Sequence, residues 1–250
     1  MSLKLGKLAP KFNRKTLLLE RYLLPGAIYP QPKKLFREYK IPDESWGMYG
    51  NDQVGDCTCA AKAHRMMLMT AHTGKMFVPD PTDIMKAYVD LTGFNPKTGE
   101  NDTGCAMTDV LEYEQVTGIA GRKILGWAQI DHAHIDRVKQ AMYVFGAVDI
   151  GVSFPNSAMD QFSAGKAWTV LKDDGGVGGG HDVPLFGYGA VGDSCITWGK
   201  RQQMTWDWFK KYCDEAYVVI TQDWVNEASG LAPNTMNMDA LNGALKEMRA

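Results

Sequence analysis

"YGNDQVGDCTCAAKAHRMM", residues 49–67, contains the feature that decides the fold: two cysteines one residue apart, directly after Gly55-Asp56. From Cys57 to about His72 the apolar residues Ala60, Ala63, Met66, Met67 and Ala71 form one broad face, which predicts a central helix. Asp56 is placed to cap its start and Gly74 to end it in a left-handed conformation. Residues two apart on a helix point to nearly opposite sides, so only one of Cys57 and Cys59 can face a given cleft. Cys57 sits in the first turn, where unpaired N–H groups and the positive end of the helix dipole favour thiolate over thiol. It is the candidate nucleophile, and Cys59 is read as a small apolar filler.

A second stretch, "GVGGGHDVPLFGYG" at 176–189, gives the first its meaning. His181 follows a glycine-rich segment, read as a flexible loop, and opens an apolar strand. From there it can reach across a cleft. Alone, Cys57 reads as a buried small residue and His181 as a structural histidine; the pair points to nucleophilic catalysis with a thiol and an imidazole base.

The intervening chain predicts helices near 82–91, 108–117 and 136–145. Strands follow in "VDIGVSF", "VPLFGYG", "SCITWG" and "EAYVVIT", with a short aromatic helix over 205–212. Helices first and antiparallel strands second is an α+β pattern, with a site expected in the cleft between the halves. Residues 1–40 carry ten Lys/Arg against Glu20 and Glu38 and read as a basic extended arm, with a turn or short helix around 15–23. The main domain is expected over 41–225. A tail over 226–250 ends in a docking helix with Leu241, Leu245 and Met248 on one stripe.

A net charge of −2 gives no overall reason to expect nucleic acid. No apolar run reaches the length of a membrane span and no secretory signal is read. Five cysteines at no framework spacing suit free thiols in a reducing compartment, so the expectation is cytoplasmic. Cys57, Cys59, His64 and His181 lack the spacing of a zinc site, and the glycine run lacks the Lys-Ser/Thr and following helix of a phosphate loop. No metal or cofactor is expected.

The order of landmarks resembles the papain-like cysteine peptidase superfamily. "IPDESWG" precedes "NDQVGDC"; "DTGC", "RVKQAMYVFGAVDIGVSF", "GGHDVPLFGYG", "ITWG" and "EAYVVI" follow. The resemblance covers most of the chain from about residue 41 and identifies it as a divergent member. It implies a helical half, with its central helix opened by Cys57, packed against an antiparallel sheet or barrel half. It further implies Cys57 as nucleophile, His181 as base, and Asn51, six residues before Cys57, as an oxyanion donor where the family usually has Gln. The family's orienting Asn has no counterpart: Ile196 precedes Thr-Trp-Gly, and counting from His181 leaves Thr197 as the orienter. "GCAMT" lacks the family's substrate-binding glycine pair, and Thr58 replaces its tryptophan after the nucleophile. Trp198 matches the tryptophan that shields the histidine pair. The expected activity is amide or peptide hydrolysis through an acyl-enzyme, with a peptide or protein substrate. The alternative is a catalytically weakened papain fold serving as a binding or assembly module, its arm and tail joining a homo-oligomer or larger assembly.

Overall fold

The helix expected from the opening stretch spans Cys57–Thr73 (α1), and every residue from Cys57 to Thr70 is buried. The computed structural model describes residues 3–11, 16–19, 31–37, 40–226 and 229–232; the expected C-terminal docking helix lies outside these. Burial on all sides brings Lys62 and Arg65 of α1 into the interior, which is tolerable only if their charges are paired. Lys62 Nζ lies 2.9 Å from both Asp149 and Asp182, while Arg65 pairs with Asp149 and Glu114. Helices α2 (Pro81–Thr92) and α3 (Met107–Val116) flank α1. α2 carries Pro at its first position and an Asp80 side-chain cap on the Thr82 N–H, and ends at left-handed Gly93, so its bounds follow from local chemistry.

The second half is built on a sheet of eight strands. β1 (Leu17–Leu18), β2 (Leu35–Phe36), β3 (Gly126–Gln129), β4 (Val148–Pro155), β5 (Val177–Tyr188), β6 (Gly192–Thr197), β7 (Lys200–Thr205) and β8 (Cys213–Ile220) run in the order β1-β3-β8-β4-β5-β6-β7, with β2 beside β5. All pairings are antiparallel except β1 with β3. Helices α4 (Ile135–Phe145), α5 (Asn156–Ser163) and α6 (Trp206–Tyr212) complete the fold. In register, Gly151 of β4 sits between Asp182 of β5 and Glu215 of β8, so these three share one row and one face. Asp149, two residues before Gly151, shares that face, which is how one strand face presents a line of carboxylates to the cations of α1. No described helix is long and apolar enough to cross a membrane.

Several sequence expectations need correction. The glycine run is a loop only at Gly175 and Gly176: Gly178–Gly180 lie within β5, where Gly179 and Gly180 pair with β4. The described part of 15–23 contains the two-residue strand β1 followed by Leu19 in 3-10 conformation, and the rest of that segment, with the expected turn or helix, lies outside the described residues. Asp56 stands at the N-cap of α1, but its carboxylate is buried and makes no capping bond to the helix. Gly74 ends the helix at φ 146°, ψ −63°, a glycine conformation but not the left-handed helical one.

Candidate active site

Cys57 is the first residue of α1, and its thiol is buried. Burial pushes the thiol up to about 12, helped by the nearby Asp182 carboxyl; the N–H groups of Asp182 and Gly6 point at the sulfur and pull the other way. The helix N-terminus therefore does not yield a thiolate here, because removal of solvent outweighs the helix dipole. Cys59 is fully buried away from solvent, as a filler would be.

His181 sits in β5 opposite Val152 of β4. Its Nε2 shares a hydrogen bond of 2.6 Å with Oγ1 of Thr197, while its Nδ1 is buried with no partner. Trp198 stacks on the imidazole at 4.2 Å between ring centroids and 16° between planes, and Phe154 packs edge-on at 5.5 Å. This stacking is set by the hairpin between β6 and β7. Thr197 pairs with Lys200, which leaves the two-residue loop Trp198-Gly199, with φ +46° and +68°. Positive φ at both loop residues is the mark of a type I′ turn, whose twist matches the strands. The tryptophan accepts this strained conformation and is buried over His181. Enclosure pulls His181 down to about 3, mainly by burial and secondarily by the nearby His64, so the ring is neutral. His64 itself donates from Nε2 to the Gly47 carbonyl at 2.8 Å.

Asn51 lies in the turn before α1. Its Nδ2 donates to the Val54 carbonyl at 3.1 Å, so one amide hydrogen is used within that turn. Among the described residues no hydrogen bond joins Cys57 to His181 or to Asn51.

The cleft is occupied by the chain's own residues 3–8. Lys4 N–H donates to the Asn51 carbonyl (3.1 Å), and Trp198 Nε1 donates to the Lys4 carbonyl (3.2 Å). Lys7 N–H donates to the Gly180 carbonyl (3.0 Å). The Gly6 carbonyl accepts from Cys105 N–H (2.9 Å), and Leu8 N–H donates to the Cys105 carbonyl (3.0 Å). The Gly6 N–H donates to the Gly180 carbonyl (3.2 Å) and is shared with the Cys57 thiol, while the Gly6 carbonyl is turned away to Cys105. The glycines are where this backbone passes closest. A Cβ on Gly6 would lie 1.7 Å from the Gly55 carbonyl oxygen, one on Gly104 2.0 Å from the Gly6 oxygen, and one on Gly180 2.1 Å from the Lys7 oxygen. The side chain of Lys7 turns into the body, where its ammonium meets Asp214 Oδ1 at 2.9 Å and Glu215 Oε1 at 3.0 Å.

Of the residues singled out from sequence, His181 and Thr197 are in direct contact, with Trp198 above them. Cys57 touches the backbone of the residue after His181, and Asn51 lines the same cleft through its carbonyl. Sequence reasoning missed Gly6, Lys7, Asp182, Asp214 and Glu215. The one available signal was the glycine run itself, since glycines inside a strand mark close approach of another backbone.

The chain matches no known family model and no curated protein in sequence. Solved structures do share its fold. Xylellain, a cysteine protease from Xylella fastidiosa, aligns at 14% identity with a TM-score of 0.63 over 88% of this chain and 97% of that one. A Carica candamarcensis cysteine protease crystallised with E-64 aligns at 12% identity and 0.55, over 76% and 99%. Digestive procathepsin L 3 of Tenebrio molitor aligns at 10% identity and 0.56, over 88% and 75%. At these identities the likeness speaks to architecture, and it agrees with the helix opened by Cys57, the antiparallel sheet carrying His181, and the cleft between them: the fold of this chain is that of the papain-like cysteine proteases.

Proposed function

We propose that the protein is a thiol-dependent amide hydrolase of the papain type, with Cys57 as nucleophile and His181 as base, held at rest by residues 3–8 of its own arm. The observation that carries this reading is the His181 ring itself. It is fixed by Thr197 and Trp198 while its Nδ1 is left without a partner beside the residue whose N–H points at Cys57. When the arm leaves, water reaches both groups and the burial that raises the thiol and lowers the imidazole is relieved. Cys57 then gives its proton to His181, and the thiolate adds to a substrate carbonyl. The Cys57 N–H and the remaining hydrogen of the Asn51 amide hold the developing oxyanion. Collapse of the adduct breaks the C–N bond as His181 returns its proton to the leaving amine, and water releases the acyl group.

A second reading, a binding or assembly module, is favoured by how closely the arm fits: Gly6, Gly104 and Gly180 each lack the side chain that would exclude it. The two readings separate in one experiment. Cys57 alkylation is followed against pH by peptide mass spectrometry in wild type, Gly6→Ala, and Gly6→Ala with His181→Ala. The hydrolase reading expects fast labelling well below pH 8 in Gly6→Ala, lost when His181 is also replaced. Labelling of Gly6→Ala no faster than an ordinary thiol, with or without His181, would overturn it in favour of the module.

A further inference from the structure

The arm's cation and the pocket that receives it belong to different parts of the chain. The acids and the wall of the pocket come from β4 and β8. Glu215 forms its floor, Asp214 its rim and Gly151 its wall. Each carboxylate is already held from behind: Tyr217 donates to Glu215 Oε2 at 2.8 Å and Ser153 to Asp214 Oδ2 at 2.9 Å. Their other oxygens face Lys7 Nζ, whose third contact is the Leu8 carbonyl at 3.1 Å. The wall is shaped for a long stem. A Cβ on Gly151 would meet Lys7 Cε at 2.7 Å and Cδ at 2.8 Å, so the strand omits a side chain where the lysine methylenes pass. The register of β4 also slips between Gly151 and Val152 opposite β8, at the level of the pocket. Both Lys7 and Glu215 have side chains only 1% exposed. Once the arm leaves, the acid pair opens into the cleft beside Asp182, whose N–H points at Cys57. A ligand that re-enters without a cation leaves buried carboxylates unpaired.

We infer that this pocket is a specificity site for a lysine or arginine side chain, so that the peptides the cleft accepts carry a basic residue in the place Lys7 now fills. The inference takes the hydrolase reading for its substrate claim, but the pocket can be tested without turnover.

The test uses the full-length chain and the alkylation rate of Cys57 at fixed pH. Lys7→Arg keeps the cation and is expected to stay within about threefold of wild type. Lys7→Met keeps the apolar stem and is expected to label faster by roughly a hundredfold, as the buried pair is broken. A synthetic peptide of sequence LKLGKLAPK, added to the Lys7→Met protein, is expected to restore protection. The same peptide with norleucine at its fifth residue, the one matching Lys7, is not. Equal labelling of Lys7→Met and Lys7→Arg, or equal protection by the two peptides, would overturn the pocket's selectivity. A fluorogenic peptide library offered to Lys7→Met then addresses substrate. Faster cleavage of peptides with Lys or Arg is expected. Cleavage that favours apolar residues would overturn the substrate claim, whereas no cleavage at all alongside cation-dependent protection would overturn the hydrolase reading and leave the pocket as a binding site for a basic peptide.

Discussion

A methyl group on residue 6 would sit 1.7 Å from the Gly55 carbonyl oxygen, with backbone on both sides of the clash and no flexible side chain to move aside. Gly6→Ala is therefore expected to expel the arm while the body, whose core does not use residue 6, stays folded. Thiolate chemistry at Cys57 then becomes accessible, and alkylation at pH 8 is expected to rise by roughly a hundredfold or more as the thiol returns from about 12 toward the ordinary cysteine range. An unchanged rate with unchanged circular dichroism would show that the arm does not control the thiol. His181 offers a second test at this scale. Its folded value, near 3, lies below the ordinary 6.5, so the unfolded chain takes up a proton below pH 6.5 while the folded one does not until about pH 3. The neutral ring thus favours the fold fully above pH 6.5, and this contribution is lost as pH falls through that window. Other buried groups titrate there too, including Asp182, which burial raises to about 7 against the pull of Lys62. The quantity to measure is therefore the difference in unfolding free energy between wild type and His181→Gln. It should shrink as pH drops, by at most about 1.4 kcal/mol per pH unit; a flat difference from pH 7 to 4 would contradict a buried neutral histidine.

Helix α1 is joined to the sheet by charge as much as by apolar contact. Lys62 spans Asp149 and Asp182 from a fully buried position, and Arg65 closes the row through Asp149 and Glu114. Removing one member leaves carboxylates buried without compensation, so Lys62→Met is expected to cost about 3–5 kcal/mol in urea unfolding, with part recovered by adding Asp182→Asn. A loss below about 1 kcal/mol would mean that water or relaxation compensates the row. The same elements show what was legible in the sequence. α1 was legible because its apolar face is broad and its start is marked by a turn. The cations on it gave no sign of their partners, because ion pairs such as Lys62 with Asp182 are long-range and leave no period in the chain. The glycine run was misread because glycine serves both flexible loops and strands pressed against another backbone, and only the presence of Leu5 and Lys7 above Gly179 and Gly180 separates the two. β1 and β2, at two residues each, are too short to carry an alternation. At the candidate site, the sequence offered Cys57, His181 and Thr197 as candidates, and the contact of His181 with Thr197 is the part the structure shows. The reason the thiol stays protonated could not be, since it depends on which segment fills the cleft.

Taken as a whole molecule, the described part of the first 36 residues joins the backbone of the body in three separate places. Residues 3–8 fill the cleft, Leu17–Leu18 pair with β3 toward one side of the sheet, and Leu35–Phe36 pair with the far end of β5. Between the first two contacts the chain surfaces: Leu8 is nearly half exposed, and Ala9, Pro10 and Lys11 are exposed as well. Surface stretches of this kind are where proteases cut. A single cut there would remove no contact from the cleft, yet it would turn a tethered ligand into a free one. Before the cut, occupancy is fixed by the short span of chain and does not depend on how much protein is present. Afterwards the plug is a separate short peptide whose hold depends on concentration, so a nicked sample would fall open on dilution and close again when concentrated, and the intact protein would do neither.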